Sequence, residues 1–290
     1  MPDRMTAVAW DDPSRTLSEG RVFFAFGIPK SGTTFLQMIL NRHPEVSCPS
    51  EHQFDFLIKN MAALLSAYNK VLVEVDRRTA RQGATLLSDD DVTVVLRHTI
   101  LAIMNSAGLK KGARLIGAND NAIIRRLPLY SEIFPTARFL CVVRDPRDTI
   151  LSQWHHNLRV ESDFLKRAKD LDHWTDVQSK VWQRQMAEVC RLKGQAPFQQ
   201  SLLITRYEDL AAGNLDRFRE VFAHLGASTD LALMAEIIEA TSFSRVKRQS
   251  HQNAFFRRGT PGAWREEMTP QQVATVRANA HAMMARFDYA

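Results

Sequence analysis

The sequence predicts an α/β fold: a P-loop-like parallel sheet flanked by helices and carrying helical insertions. Three observations lead there. An apolar strand runs into a glycine-bounded loop and then a helix over residues 22–40. Further short apolar runs alternate with longer stretches of helical periodicity along the chain, the pattern of a parallel sheet wrapped on both faces. The 290 residues, 45% of them hydrophobic, can bury a large core as one domain.

In order, residues 1–20 read as a loose lead-in and 21–290 as the domain. Val22 to Phe26 is a buried strand, Gly27 to Gly32 a loop, and a helix starts at Thr33 with Phe35, Leu36, Ile39 and Leu40 on one side. Backbone N–H groups of such a loop and of the helix start converge on an anion. Gly27 and Gly32 have the spacing of a nucleotide-hydrolase loop, but Thr33 stands where that motif has its Lys, and the loop's only Lys is Lys30. A Lys within the loop faces the bridging atoms of a shorter anion. The other reading of this segment is a tight turn and helix start with a solvated Lys30.

A turn and short strand follow at 43–49, then helices at 51–82 and 89–107 with a polar break at Ser88 to Asp91. Arg114 to Gly117 is a strand running into Ala118-Asn119-Asp120-Asn121, and a helix at 122–134 is interrupted near Pro128. Residues 137–143 form the most apolar strand. Asp145 then caps a helix with Pro146 at its first position. A long amphipathic helix at 173–194, a strand at 201–205, helices at 214–225 and 230–240, a basic irregular stretch at 241–265 and a last helix from Thr269-Pro270 complete the order.

Composition bounds the function. No apolar run reaches the roughly 18 residues of a membrane helix, and no export signal is read near Met1, so a cytoplasmic location is expected. Cys48, Cys141 and Cys190 are odd in number and widely spaced, which fits a reducing compartment. The net charge of +6 is unevenly placed and suits an anionic ligand. The basic run through Arg245, Lys247, Arg248, Arg257 and Arg258 reads as a solvated face, a nucleic-acid patch or a ligand loop. Gly259 and the neighbouring Phe255, Phe256 and Trp264 favour the ligand loop, so no nucleic acid is expected.

The strand at 137–143 ends in Arg144, where metal-dependent phosphoryl-transfer enzymes end in a Mg²⁺-holding Asp. A guanidinium binds phosphate as a fork, and Ser152 lies two helical turns on. The alternative for Arg144 is an ion pair with Asp148 or Glu208. Two anion sites at neighbouring strand ends, with no metal ligand, suggest a nucleotide phosphorylated at both ends.

With these residues in place, the sequence resembles the sulfotransferases that use 3′-phosphoadenosine 5′-phosphosulfate (PAPS) and release 3′,5′-ADP (PAP). Pro29-Lys-Ser-Gly-Thr-Thr34 matches their 5′-phosphosulfate loop, Val143-Arg-Asp-Pro-Arg-Asp148 with Ser152 their 3′-phosphate motif, and Tyr207-Glu-Asp-Leu210 the segment whose Tyr approaches adenine. Thr241-Ser-Phe243, Phe256-Arg-Arg-Gly259 and Gly262-Ala-Trp264 resemble the cytosolic branch's C-terminal phosphate loop.

The resemblance implies that Lys30 neutralises the bridging oxygen and that Ser31, Gly32, Thr33 and Thr34 hold the 5′-phosphate. Arg144, Ser152, Arg257, Arg258 and Gly259 hold the 3′-phosphate, Thr241 belongs to that loop, and Phe35 and Phe243 sandwich the adenine. For the base, His43-Pro-Glu-Val-Ser-Cys-Pro-Ser-Glu51 resembles the tyrosylprotein branch and puts Glu51 at its base position, with His52 and Asp120 as alternatives. Glu51 also reads as a helix N-terminal carboxylate held by the macrodipole. The dimer motif of the cytosolic branch is half kept: Arg265 and Thr269 fit, Pro270 and Ala274 do not, and the oligomeric state stays open. Expected partners are a small-molecule, lipid or glycan acceptor, its pocket shaped by Phe54, Phe56, Leu57, Trp154, Phe164 and Trp174. A kinase using ATP and Mg²⁺ and a non-catalytic nucleotide binder are the rival readings.

Overall fold

The structure, a computed structural model, describes residues 21–49, 52–79, 85–106, 112–161, 163–242 and 260–289. The strands are β1 (Val22–Gly27), β2 (Val46–Ser47), β3 (Leu115–Asn119), β4 (Arg138–Val143) and β5 (Leu202–Arg206). They lie in the order β2-β3-β1-β4-β5, every neighbouring pair parallel. The chain leaves β1 for one side of the sheet and returns to the other at β4. β1 is therefore the point where strand order reverses, the place where such sheets open a crevice at their carboxyl ends. The register pairs Ala25 with Asn119 and Gly27 with Val142, and Val143 with Arg206, so four strand ends share one edge.

The sheet is buried because its strands are apolar on both faces. Phe24 and Phe26 lie in one core with Tyr130, Phe134, Phe139 and Trp182. Phe23 and Ala25 lie in the other with Leu36, Phe218 and Phe222, the alternation a strand imposes.

The helices are α1 (Thr33–Arg42), α2 (Phe54–Thr79), α3 (Asp89–Ser106), α4 (Leu127–Ile133), α5 (Pro146–Val160), α6 (Phe164–Ala168), α7 (Leu171–Lys193), α8 (Phe198–Ser201), α9 (Tyr207–Ala211), α10 (Leu215–Leu225), α11 (Leu231–Thr241), α12 (Trp264–Glu267) and α13 (Pro270–Arg286). The expected helix at 122–134 is two pieces: a 3₁₀ turn at Asn121–Arg125, then α4. Pro128 lies in the first turn of α4, where a missing N–H costs nothing, so it opens that helix rather than breaking one. α6, α8, α9 and α12 are too short for apolar periodicity to register in the sequence.

α13 begins with a capping box. Thr269 Oγ1 accepts from the Gln272 N–H at 3.2 Å, and Gln272 Oε1 accepts from the Thr269 N–H at 2.9 Å. Thr269 and Pro270 thus start a helix that is tied to α7 through Gln272 to Asp172 (2.6 Å) and Asn279 to Asp176 (3.0 Å).

His224 on α10 ties β4 to the residue before β5: its Nε2–H is shared between the carbonyls of Phe139 (3.2 Å) and Ser201 (3.1 Å). Burial, and then the charge of Arg138, lowers its pKa to about 4. Unfolded histidine titrates near 6.5. The unfolded chain therefore takes up a proton first, and stability is lost as pH falls from about 6.5 to about 4, by roughly 3 kcal/mol in all. His224→Gln, which keeps an N–H donor but does not titrate, removes that component. Urea unfolding at both ends of the window measures it; identical pH dependence in the two proteins contradicts the assignment.

Candidate active site

The loop after β1 is wound tightly. Ser31 donates its N–H to the Ile28 carbonyl at 2.9 Å and its hydroxyl to Val142 of β4 at 3.0 Å. Gln153 of α5 donates to the Pro29 carbonyl at 2.9 Å. Lys30 sits between these anchors with φ 72°, a left-handed conformation rarely taken by a residue with a Cβ and typical of functional sites. Gly32 follows at φ 101°, and a Cβ there would lie 2.2 Å from Cδ2 of Tyr207. Only glycine satisfies both demands. Gly32 is also the cap of α1 and offers no side-chain acceptor to the first turn, so those N–H groups face the loop's concavity.

Both donors of Ser31 are thus spent inside the protein. In this arrangement Ser31 holds the loop to β4.

The Arg144 motif follows β4. Asp145 caps α5, accepting from the Arg147 N–H at 2.9 Å, and its carboxylate also takes the Arg147 guanidinium at 2.7 Å. Arg147 stacks 3.9 Å from the Trp264 ring centre. Asp148 accepts from the backbone N–H groups of Gly262 (2.6 Å) and Trp264 (3.1 Å), tying the segment before α12 to the motif. Burial raises the pKa of Asp148, against the charge of Arg144 and those two N–H groups. Glu208 accepts from the Asp145 N–H (3.0 Å) and the Tyr289 hydroxyl (2.7 Å).

Arg144 itself is 8% exposed. Among the described residues its Nε has no partner, and its nearest carboxylate contact, Asp148, is 3.7 Å away. The guanidinium lies 4.6 Å from the Tyr207 ring centre, and Phe35 meets that ring edge-on at 5.7 Å. The two carboxylates that could neutralise Arg144 are engaged by backbone and Tyr289. A buried guanidinium with an open donor is costly, and an oxyanion is its natural partner.

β3 brings Asn119 and Asp120 to the same edge. Asn119 donates to the Thr33 carbonyl at 3.3 Å. Asp120 is 3% exposed; its Oδ1 caps the 3₁₀ turn by accepting from Ala122 N–H at 2.9 Å, and its Oδ2 has no partner among the described residues.

A cavity of about 860 Å³ gathers these strand ends, lined by Lys30, Gly32, Thr33, Thr34, Phe35, Asp120, Arg144, Ser152 and Tyr207. Nine of the expected residues are therefore neighbours. His52 is not in the lining; its ring stacks on Phe54 at 5.2 Å, and Gln53 takes the wall position instead. Thr241 is also absent from the lining: buried in the last turn of α11, it donates its hydroxyl back to the Ile237 carbonyl at 2.7 Å. Glu51, Phe243, Arg257, Arg258 and Gly259 lie outside the described residues.

Of the aromatics expected around the acceptor, Trp174 lines the cavity. Phe54 and Phe164 are core, and Phe56 is exposed. His156 was missed as a wall residue, although it stands four residues after Ser152, one helical turn along the same face. Burial, then the charges of Lys30 and Arg159, lowers its pKa. Its neighbour His155 points away and pairs with Glu267 at 2.8 Å.

A family model described as "Sulfotransferase family" matches residues 23–230. The chain belongs to that family. Among curated relatives, this sulfotransferase-family chain is 25% identical to protein-tyrosine sulfotransferase 2 of Gallus gallus over 244 residues, 82% of this chain and 61% of that one. It is 26% identical to protein-tyrosine sulfotransferase 1 of Homo sapiens over 53% of this chain and 39% of that one. It thus spans between about two-fifths and three-fifths of these relatives. Among solved structures, mouse sulfotransferase SULT7A1 complexed with PAP superposes with TM-score 0.59 at 18% identity, covering 96% of this chain and 92% of that one. Sulfotransferase STF9 from Mycobacterium avium gives 0.56 at 14%, covering 97% and 80%. The parallel five-stranded sheet with flanking helices is the fold these structures share. Among the described residues no helix is long and apolar enough to cross a membrane.

Proposed function

We propose that the chain transfers the sulfuryl group of PAPS to a hydroxyl or amine of an acceptor, leaving PAP. One observation carries this: Arg144, a buried guanidinium whose Nε has no partner among the described residues, lines the same cavity as the Lys30 loop. Two cationic groups at neighbouring strand ends match a nucleotide carrying phosphate at both its 3′ and 5′ positions. Arg144 stands where a Mg²⁺-holding Asp belongs in phosphoryl-transfer enzymes, which disfavours a kinase.

The loop N–H groups, Thr33 and Thr34 receive the 5′ end, and Arg144 with Ser152 the 3′-phosphate. Phe35 and Tyr207 flank the adenine. PAPS supplies the activated S–O bond; that bond breaks as the acceptor oxygen or nitrogen bonds to sulfur. Lys30 neutralises the oxygen left on the 5′-phosphate, and the acceptor's proton passes to a base. Glu51 is the base by resemblance to the tyrosylprotein branch. Asp120 is the base we favour, because it lines the cavity and its Oδ2 has no partner among the described residues. The relatives' name, protein-tyrosine sulfotransferase, makes a tyrosyl acceptor one option beside small molecules, lipids and glycans. Cys48, Cys141 and Cys190 are free and buried, which supports our reading of a cytoplasmic location.

Asp120→Asn keeps the capping oxygen and removes the base. Its kcat is expected to fall by about 10²–10⁴-fold with PAP affinity nearly unchanged. Labelled-sulfate transfer and calorimetry with PAP measure the two. An active Asp120→Asn beside an inactive Glu51→Gln assigns the base to Glu51.

A further inference from the structure

Beyond the residues of the cofactor motifs, the cavity is lined largely by carboxamides among the described residues. Gln53, Asn121, Asn157 and Gln178 line it, with Arg125 and the ring of Trp174. They come from the segment before α2, the 3₁₀ turn, α5 and α7; of these only α5 carries a cofactor motif, in its first two turns, and Asn157 lies beyond it. Trp174 and Gln178 are one helical turn apart on α7 and present the same face. Phe164 holds the Trp174 ring edge-on at 4.9 Å and 80°, and its Nε1–H donates to the Ile150 carbonyl at 3.4 Å, so the indole is a fixed platform.

On the sulfuryl-transfer reading above, we infer that the acceptor is a saccharide. A carboxamide offers two donors and an acceptor without titrating, which matches hydroxyl groups that both give and take hydrogen bonds. The polarised C–H face of a pyranose packs on the negative face of an indole. A phenol or long-chain alcohol instead wants a slot lined mainly by apolar side chains. Among the described lining residues beyond the cofactor loop, the aliphatic side chains are Ala122, Leu151 and Ala263, a small surface with which to select such a group. Arg125 favours a sugar that carries a carboxylate.

Calorimetry with PAP on the full chain comes first. Failure to bind PAP sinks the sulfuryl-transfer reading and this inference with it. With binding established, ³⁵S-labelled PAPS is offered with cellohexaose, chitohexaose and a uronate-containing hexasaccharide, and separately with an acidic tyrosyl peptide, 4-nitrophenol and 1-decanol. A saccharide, the uronate one foremost, is expected to exceed every non-saccharide by at least about tenfold in kcat/KM. Trp174→Ala and Gln178→Ala then raise its KM by about tenfold each while PAP affinity is kept. A PAP-binding protein that sulfates no saccharide, or that prefers the peptide, phenol or alcohol, overturns the inference.

Discussion

Lys30→Ala is expected to slow sulfuryl transfer by about three orders of magnitude while PAP affinity falls by less than about tenfold. The asymmetry follows from where the charge is needed. The oxygen that leaves sulfur gains negative charge only as the bond breaks, so a cation beside it stabilises the transition state more than the bound nucleotide. The backbone supports this role: residue 30 adopts φ 72° between two anchored neighbours, a conformation costing roughly 1 kcal/mol or more for a residue with a side chain. Single-turnover transfer of labelled sulfate gives the rate and calorimetry gives the affinity. Equal losses in both would make Lys30 a ground-state ligand instead.

Arg144→Ala is expected to weaken PAP binding by about 3 kcal/mol, roughly 150-fold, because a charge-assisted fork to phosphate is lost. The ligand-free protein should lose some stability as well, because Arg144 offsets the burial of the Asp148 carboxylate 3.7 Å away, and removing one partner of a buried pair leaves the other uncompensated. Melting with and without PAP separates the two effects: the ligand-induced rise in Tm shrinks in addition to any fall in the ligand-free Tm. A loss of ligand-free stability with PAP affinity intact would show that Arg144 is chiefly the ion-pair partner of Asp148.

The elements that sequence reading placed well are those with strong local causes. β1 and β4 are continuous apolar runs. α5, α10, α11 and α13 each start at a residue whose side chain caps the helix: Asp145, Asn214, Asp230 and Thr269. The site was legible to the extent that its residues stand in contiguous motifs at strand ends, as Lys30, Thr33, Arg144 and Tyr207 do. The hydroxyl partners of Ser31 and Thr241 were not legible, because a hydroxyl's use depends on which carbonyl folds against it. Val142 is 111 residues from Ser31 along the chain, and Ile237 one turn behind Thr241 was available to it all along.

From the amino-acid order alone came the α/β class, the loop with a displaced Lys, and an Arg where a metal-holding Asp belongs, since each is written in neighbouring residues. Tertiary structure decided what no neighbour could announce. It engaged Asp148 with Gly262 and Trp264, and Glu208 with Asp145 and Tyr289, and so left Arg144 an open donor. It also brought Gln53, Asn121, Asn157, Trp174 and Gln178 to one cavity. The physical reason is that hydrogen-bond satisfaction and cavity shape are sums over distant partners, whereas apolar periodicity and helix caps are set within a few residues.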